Sequence, residues 1–141
     1  MALPQVGGGY QIGDGNTNEV QMKVQIGPTA KTTSVTLTAA ELTGGLITVN
    51  QGASTTSTLT TPTGAALDTA LTTFKVDSAF DFHVINTSTN ANEPAVLAAG
   101  TGVTIVGNDD IVANSATNVP SSAHFRARRT AAETWSVYRL S

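Results

Sequence analysis

Residues 123–141 constrain the fold of this chain more than any other segment, because they form two alternating runs joined by a short polar link. In the first run Phe125 and Ala127 point to one side of an extended chain, and in the second Trp135 and Val137 do the same. Side chains alternate across a strand, so the pattern predicts a β-hairpin with one buried and one exposed face. The segment also holds the only tryptophan and all the arginines of the chain.

Further strand patterns recur along the chain, separated by turn signals such as Gly27-Pro28 and Gly100-Thr101-Gly102. The predicted strands before the hairpin cover residues 20–26, 34–37, 46–49, 56–60, 79–86, 95–98, 103–106 and 111–113. Many short strands at such spacing indicate an all-β domain of about eight strands, built as a small jelly roll, a sandwich or a barrel.

Two short helices are predicted between the strands. Thr38 and Glu41 have the spacing of a capping box, which favours one helical turn before the glycines at 44 and 45. Apolar residues recur at helical spacing between Ala66 and Leu71, which favours about two more turns.

The N-terminal segment differs from the rest in composition. Residues 1–19 are rich in glycine, which loses much conformational freedom on ordering, so they predict a flexible arm attached to a single β domain at residues 20–141. A frayed terminus is the simpler alternative. The spacing of four apolar side chains instead favours an arm that orders on assembly with another chain, with anchors at Leu3, Val6, Tyr10 and Ile12.

Composition favours self-association. A chain of 141 residues is long enough for one domain with its own core. Leu, Ile, Val and Phe together make up about 23% of it, just above the roughly 20% below which chains tend to be disordered. A thin core and only 12% charged residues suggest that another protein surface covers part of the domain.

The formal net charge of −3 argues against a general nucleic-acid partner, yet the charges are unevenly distributed. Residues 126–141 carry all the arginines against a single acid, Glu133. We interpret Arg126, Arg128 and Arg139 as an interface patch; a solvated strand face is the alternative.

Arg139 is the doubtful member of this patch, because its alternation places it with the inward side chains. Either it lies at the mouth of the barrel or a bulge shifts the register. Asp81 or Asp68 of a neighbouring copy could pair with these guanidinium groups.

No grouping of residues indicates catalysis, a cofactor or a metal. His83 and His124 lack the spacing of a zinc motif and are interpreted as ordinary surface or interface residues. Residues 14–18 imitate the start of a calcium loop, but that loop fails where Gly and the bidentate Glu are required. Asp109-Asp110 is read as a turn. Asn86 begins a glycosylation sequon, which means little here because the N-terminus lacks a signal-peptide pattern.

The chain contains no cysteine and no apolar run long enough to span a membrane, so neither a disulfide framework nor a membrane partner is expected. Together with the lack of a catalytic grouping, these features predict a non-enzymatic chain made in the cytoplasm of the cell that produces it.

From Leu42 to Ser141 the sequence resembles a module of tailed-bacteriophage virion proteins. The similar strings are Leu46-Ile47, residues 61–68 (TPTGAALD), residues 81–86 (DFHVIN), residues 99–107 (AGTGVTIVG), residues 125–128 (FRAR) and residues 135–139 (WSVYR). The resemblance implies a capsid decoration (cement) protein on the capsid exterior, a homotrimer bound to the major capsid protein. The alternative is a receptor- or glycan-binding tip module of a phage fibre or spike.

Overall fold

The computed structural model describes residues 24–115 and 120–141, and within them it contains ten strands and two short helices. The prediction of a mainly-β fold with one or two short helices is confirmed. In chain order the elements are β1 (Thr29–Lys31), β2 (Val35–Thr36), α1 (Ala39–Thr43), β3 (Leu46–Val49), β4 (Ser57–Thr60), α2 (Gly64–Ala70), β5 (Ala79–Asn86), β6 (Ala95–Ala98), β7 (Val103–Val106), β8 (Asp110–Ile111), β9 (Ser122–Ala131) and β10 (Thr134–Arg139).

The strands form two sheets. The larger has six strands in the order β1-β3-β5-β9-β10-β7, and the smaller has four in the order β2-β4-β6-β8. From β1 to β6 successive strands alternate between the sheets, so neighbours within each sheet run parallel in this part of the chain. The chain then reverses, and β9 pairs antiparallel with both β5 and β10.

One hydrophobic core lies between the two sheets. Leu59, Leu97 and Ile111 contribute from the smaller sheet, while aromatic side chains dominate the side of the larger sheet. Phe82 stacks on Phe125 with ring centroids 5.3 Å apart. Trp135 is fully buried, as its inward position in the hairpin predicts. The predicted alternation of the closing hairpin therefore places its apolar face in this core.

Local signals place most elements where the sequence predicts them. The Thr38 hydroxyl accepts from the Glu41 backbone N–H at 3.2 Å, and the Glu41 carboxylate accepts from the Thr38 N–H at 2.9 Å. This capping box satisfies two backbone donors at the start of α1. Thr63 caps α2 by accepting from the Ala66 N–H at 3.1 Å.

The first predicted strand is wrong in its described part. Val24 and Ile26 lie outside any strand and are exposed, and β1 begins only after Pro28. Alternation alone suggested a strand there, but a strand also needs a neighbour, and the first parallel pairing in this region joins Thr29–Lys31 to β3.

Candidate functional surface

The most extensive candidate surface is the side of the six-stranded sheet that faces away from the core, here called the outer sheet face. The register brings the alternate side chains of four strands into rows across this face. It comprises Asp81, His83 and Ile85 of β5, His124, Arg126 and Arg128 of β9, Ser136 and Tyr138 of β10, and Thr104 and Val106 of β7.

An ion-pair network built on Asp81 occupies the middle of the outer sheet face. Arg126 donates from Nε to Asp81 Oδ1 at 2.6 Å and from Nη2 to Oδ2 at 2.8 Å. His124 Nε2 lies 3.0 Å from Asp81 Oδ2. The guanidinium of Arg126, followed by His124, lowers the pKa of Asp81 from 3.8 to about 2. Asp81 is therefore an ionised acceptor at neutral pH.

The other two members of the predicted patch also bond within their own chain. Arg128 donates to the carboxylate of Asp77, which is exposed at the end of the sheet. Arg139 donates to the backbone carbonyl of Asp110, and its guanidinium carbon lies 5.9 Å from the centre of the Phe125 ring. The outer sheet face thus brings Arg126 and Arg128 together, and Arg139 lies apart from them.

The position of Arg139 follows from its inward phase. The register of the hairpin shifts between Thr134 and Trp135, before Arg139, so Trp135 and Arg139 keep the same orientation. Arg139 lies at the end of β10, where its guanidinium lies over the Phe125 ring and donates to the backbone carbonyl of Asp110. The bulge considered from the sequence is present, but it lies before Trp135 and does not turn Arg139 outward.

A second polar cluster, which the sequence analysis missed, lies at the tip of the closing hairpin. We call it the hairpin seat and define it by Asp68, Arg129, Glu133 and Trp135. The Asp68 carboxylate accepts from Arg129 Nε at 2.9 Å and Nη2 at 2.6 Å, from the Glu133 N–H at 2.8 Å and from Trp135 Nε1 at 2.9 Å.

The bonds of the hairpin seat have two consequences. The guanidinium of Arg129, together with the Glu133 N–H, lowers the pKa of Asp68 from 3.8 to about 2. The indole N–H of the buried Trp135 has its acceptor there. One signal in the sequence could have revealed this cluster. The alternation that turns Phe125 and Ala127 inward also turns Arg129 inward, and a buried arginine needs a carboxylate partner.

Two glycines let the backbone of the hairpin tip lie close to the start of α2 and to the turn before β7. A Cβ built on Gly64 would lie 1.9 Å from the backbone oxygen of Glu133, and one on Gly102 would lie 2.4 Å from the same atom. Gly102 also has a φ of +78°, which L side chains rarely adopt. The similar strings at residues 61–68 and 99–107 therefore both meet the backbone of Glu133, two residues before the string at 135–139.

An open groove borders the hairpin seat, with a volume of about 570 Å³. Its lining consists mostly of small and hydroxyl-bearing residues: Thr63, Ala65, Thr101, Gly102, Ala132, Glu133 and Thr134. No aromatic side chain is among those lining residues, so the groove offers hydrogen-bonding groups without a stacking platform.

A third polar cluster ties two loops together at the other end of the molecule. The buried carboxylate of Glu93 accepts from the N–H of Ser54 at 2.8 Å, from the N–H of Gly52 at 3.2 Å and from the Ser88 hydroxyl. The Ser88 hydroxyl and the Ser54 N–H lower the pKa of Glu93. All these bonds remain inside the domain, which gives the cluster a structural role.

The remaining predicted positions fall into two groups. The arm residues Leu3, Val6, Tyr10 and Ile12, the whole segment 1–19 and the calcium-like loop at 14–18 lie outside the described residues. Asn86 is 1% exposed and donates to backbone carbonyls, so its sequon is closed to modification in the folded domain. Asp110 donates its N–H to the side chain of Asn108 and begins β8, so only Asp109 of the predicted turn lies outside a strand.

Within residues 24–115 and 120–141, no three His, Cys, Asp or Glu side chains are arranged to hold one metal ion. None of the helices in that part of the chain is long and apolar enough to cross a membrane. No protein-family model, curated protein or solved structure matches this chain.

Proposed function

We propose that this protein is a non-enzymatic structural protein of a bacteriophage particle. In this proposal it is a capsid decoration (cement) protein that forms a homotrimer and binds the major capsid protein on the outside of the shell. The resemblance to tailed-phage virion proteins supplies the class. The structural observation that carries the proposal is the outer sheet face, a broad surface on which the arginines already have acidic partners.

The composition of the outer sheet face supports a protein partner. Protein interfaces combine apolar side chains with few unpaired charges. Val106 and Leu140 are 44% and 47% exposed, and the register places both on this face, beside Tyr138 and His124 respectively. They give an apolar margin next to the paired charges of Asp81 and Arg126.

The same pairing argues against nucleic acid as the partner. Binding to a phosphate backbone is driven by cations that release counterions from the polymer. Arg126 and Arg128 are each bonded to an aspartate of their own chain, so a phosphate would have to displace Asp81 or Asp77. A protein surface can add contacts around these pairs without breaking them.

Shell binding would act by mass action. Internal pressure from packaged DNA pushes the subunits of a capsid apart, and a protein that binds only the assembled shell shifts the equilibrium towards it. Two sheets facing each other across one core favour the sandwich among the three architectures considered, and a sandwich offers a flat sheet face for such contact.

A second candidate rests on the groove beside the hairpin seat. Thr63, Thr101, Thr134 and Glu133 are among its lining residues, and hydroxyl and carboxylate groups can hydrogen-bond sugar hydroxyls. This observation favours a receptor- or glycan-binding tip module of a fibre or spike. Thr101→Ala would weaken glycan binding in that case and would leave shell binding unchanged.

Two experiments test the proposal. Immunogold electron microscopy of virions with antibody against this chain should label many sites over the head; label confined to the tail tip would support the second candidate. Sedimentation at micromolar concentrations should give three times the 14.4 kDa chain mass. A monomer over the whole range, with and without capsids, would contradict the trimer.

The predicted arm at residues 1–19 adds a third experiment. The arm is proposed as the main shell anchor, so deleting it should abolish shell binding while the melting transition of the domain stays cooperative. Unchanged shell binding by the truncated protein would rule out the arm as the anchor and would leave the outer sheet face as the contact.

A further inference from the structure

In the part of the chain that the structure describes, four strands lie at sheet edges, and three of these edges hinder pairing with another chain. β1 follows Pro28 and contains Lys31, while β2 and β8 are each only two residues long. Short strands, prolines and lysines are the usual protection of a sheet edge. β7 (Val103–Val106) differs, because it has four residues, none of them charged and none a proline. We call the free side of this strand the β7 edge.

The β7 edge offers both backbone and apolar groups to a further strand. β7 pairs with β10 on one side, and no strand among residues 24–115 and 120–141 pairs with its other side. An edge strand presents a row of N–H and C=O groups that another strand can use. Val106 is 44% exposed, and Thr104 is exposed as well. An added strand would therefore find an apolar side chain next to the free backbone groups.

A segment with a strand pattern directly precedes β1. Residues 20–26, here called the linking segment, alternate polar side chains with Val20, Met22, Val24 and Ile26. Among its described residues, Val24 is 89% exposed and Ile26 is 66% exposed, and neither belongs to a strand. Neighbouring exposed apolar side chains mark surfaces that another protein covers. The pattern and the exposure together favour a strand whose partner belongs to another chain.

The linking segment cannot reach the β7 edge of its own chain. Gln25 donates from Nε2 to the Gly44 carbonyl at 2.7 Å, which holds the segment beside the turn before β3. β1 and β7 are the outermost strands of the six-stranded sheet, so five spacings of about 4.8 Å, roughly 24 Å in all, separate them. Val24 precedes Thr29 of β1 by five residues, which span at most about 18 Å. The β7 edge open to Val24 therefore belongs to a second copy.

We propose that the linking segment of each copy adds a strand to the β7 edge of the next copy. This inference rests on the proposed homotrimer and names the contact that forms it. The segment leaves from one edge of the larger sheet and binds the opposite edge, so the contact is head to tail, and such contacts can close into a ring. Main-chain hydrogen bonds to β7 and burial of Val24 and Ile26 next to Val106 would supply the affinity.

Chemical cross-linking tests this contact directly, because the chain contains no cysteine. Val24→Cys and Thr104→Cys each place one thiol at an exposed position, the first on the linking segment and the second on β7. A mixture of the two full-length variants, treated with a short bismaleimide, should give a covalent dimer on a denaturing gel. Each variant alone should give much less, because the contact joins position 24 to position 104. Val24→Cys mixed with Thr36→Cys, whose thiol lies on the exposed edge strand β2, is the control and should stay monomeric on the gel.

A substitution in the linking segment measures how much the contact contributes. Ile26→Lys should raise the concentration at which the trimer dissociates about tenfold or more in sedimentation, because an apolar side chain is no longer buried on assembly. Val76→Lys is the matched control, since Val76 is 54% exposed in a loop, and it should sediment like the parent protein. Circular dichroism checks that both variants keep the fold.

Sedimentation of the parent protein separates failure of this inference from failure of the trimer. A trimer that gives no mixed cross-link, or that Ile26→Lys leaves unchanged, overturns the strand addition and keeps the trimer. Thr104→Cys cross-linking to itself as strongly as in the mixture would show two β7 edges paired with each other, which also overturns it. A monomeric parent protein contradicts both.

Discussion

Replacing Asp68 by asparagine should destabilise the domain more than the same replacement of Asp77 or Asp81, the other aspartates that form ion pairs in the described residues. The Asp68 carboxylate accepts four hydrogen bonds, two from Arg129, one from the Glu133 N–H and one from Trp135 Nε1. An asparagine oxygen can keep two of them. Its NH₂ group then points at the other two donors, which are left without an acceptor.

The magnitude follows from the number and burial of the lost bonds. The side chains of Asp68 and Arg129 are only 17% and 19% exposed, so solvent screens them little. Hydrogen bonds to charged groups contribute about 1.5–3 kcal/mol each, so losing two should lower the free energy of unfolding by roughly 3–6 kcal/mol. For a domain of this size that is a fall in Tm of about 10 °C or more.

Thermal melting followed by circular dichroism and tryptophan fluorescence measures this effect. Asp77→Asn is the matched control, because Asp77 makes a single ion pair, with Arg128, and its side chain is 67% exposed. Asparagine also tolerates the left-handed backbone at this position, where φ is 73°. The control should cost at most about 1 kcal/mol. Equal melting temperatures for the two variants would refute the assigned role of Asp68.

The same variant gives a test by pH. The folded-state pKa of Asp68 is about 2, below its ordinary 3.8, so its contribution is present at neutral pH and is lost as the pH falls from about 4 to 2. Asp68→Asn has no such group to titrate. The stability of the parent protein should therefore fall more steeply than that of the variant over this interval; parallel curves would contradict the pKa assignment.

Three further predictions concern other parts of the molecule. Gly64→Ala should lower Tm by several degrees, because its Cβ would lie 1.9 Å from the backbone oxygen of Glu133. A Cβ on Gly27 would have no atom within 4 Å, so Gly27→Ala should leave Tm unchanged, and thermal melting of both variants measures the difference. Glu93→Gln should flatten the fall in stability below pH 4.5, since hydrogen bonds from the Ser88 hydroxyl and the Ser54 N–H lower the pKa of Glu93. Acid titration of the unfolding midpoint checks this. Arg126→Ala should leave the stability of the isolated domain nearly unchanged, because this side chain is exposed, yet weaken self-association, most at low salt, as measured by sedimentation.

The candidate surface was only partly predictable. Alternation around Phe125 placed Arg126 and Arg128 outward and together, as found. The sequence suggested Asp81 of a neighbouring copy as a partner for these arginines, and in the structure Asp81 of the same chain pairs with Arg126. The neighbour relation between β5 and β9 decides this, and nothing local encodes it.

Local chemistry determined the elements themselves. The Thr38 capping box, the strand from Ala79 to Asn86 and the closing hairpin that contains Trp135 depend on residues a few positions apart, so the sequence alone indicates them. The segment around Val24 is the exception, because alternation there lacks a paired neighbour.

Only the tertiary structure decided which strands became neighbours. The alternation of β1 to β6 between two sheets, the stacking of His83 on His124 and the convergence of Asp68 with Trp135 all join residues far apart in the chain. Such contacts depend on how sheets pack to bury the core and on where glycines such as Gly64 let two backbones touch. A periodic pattern specifies which face of a strand is buried, but the shared packing of all strands specifies what lies beside it.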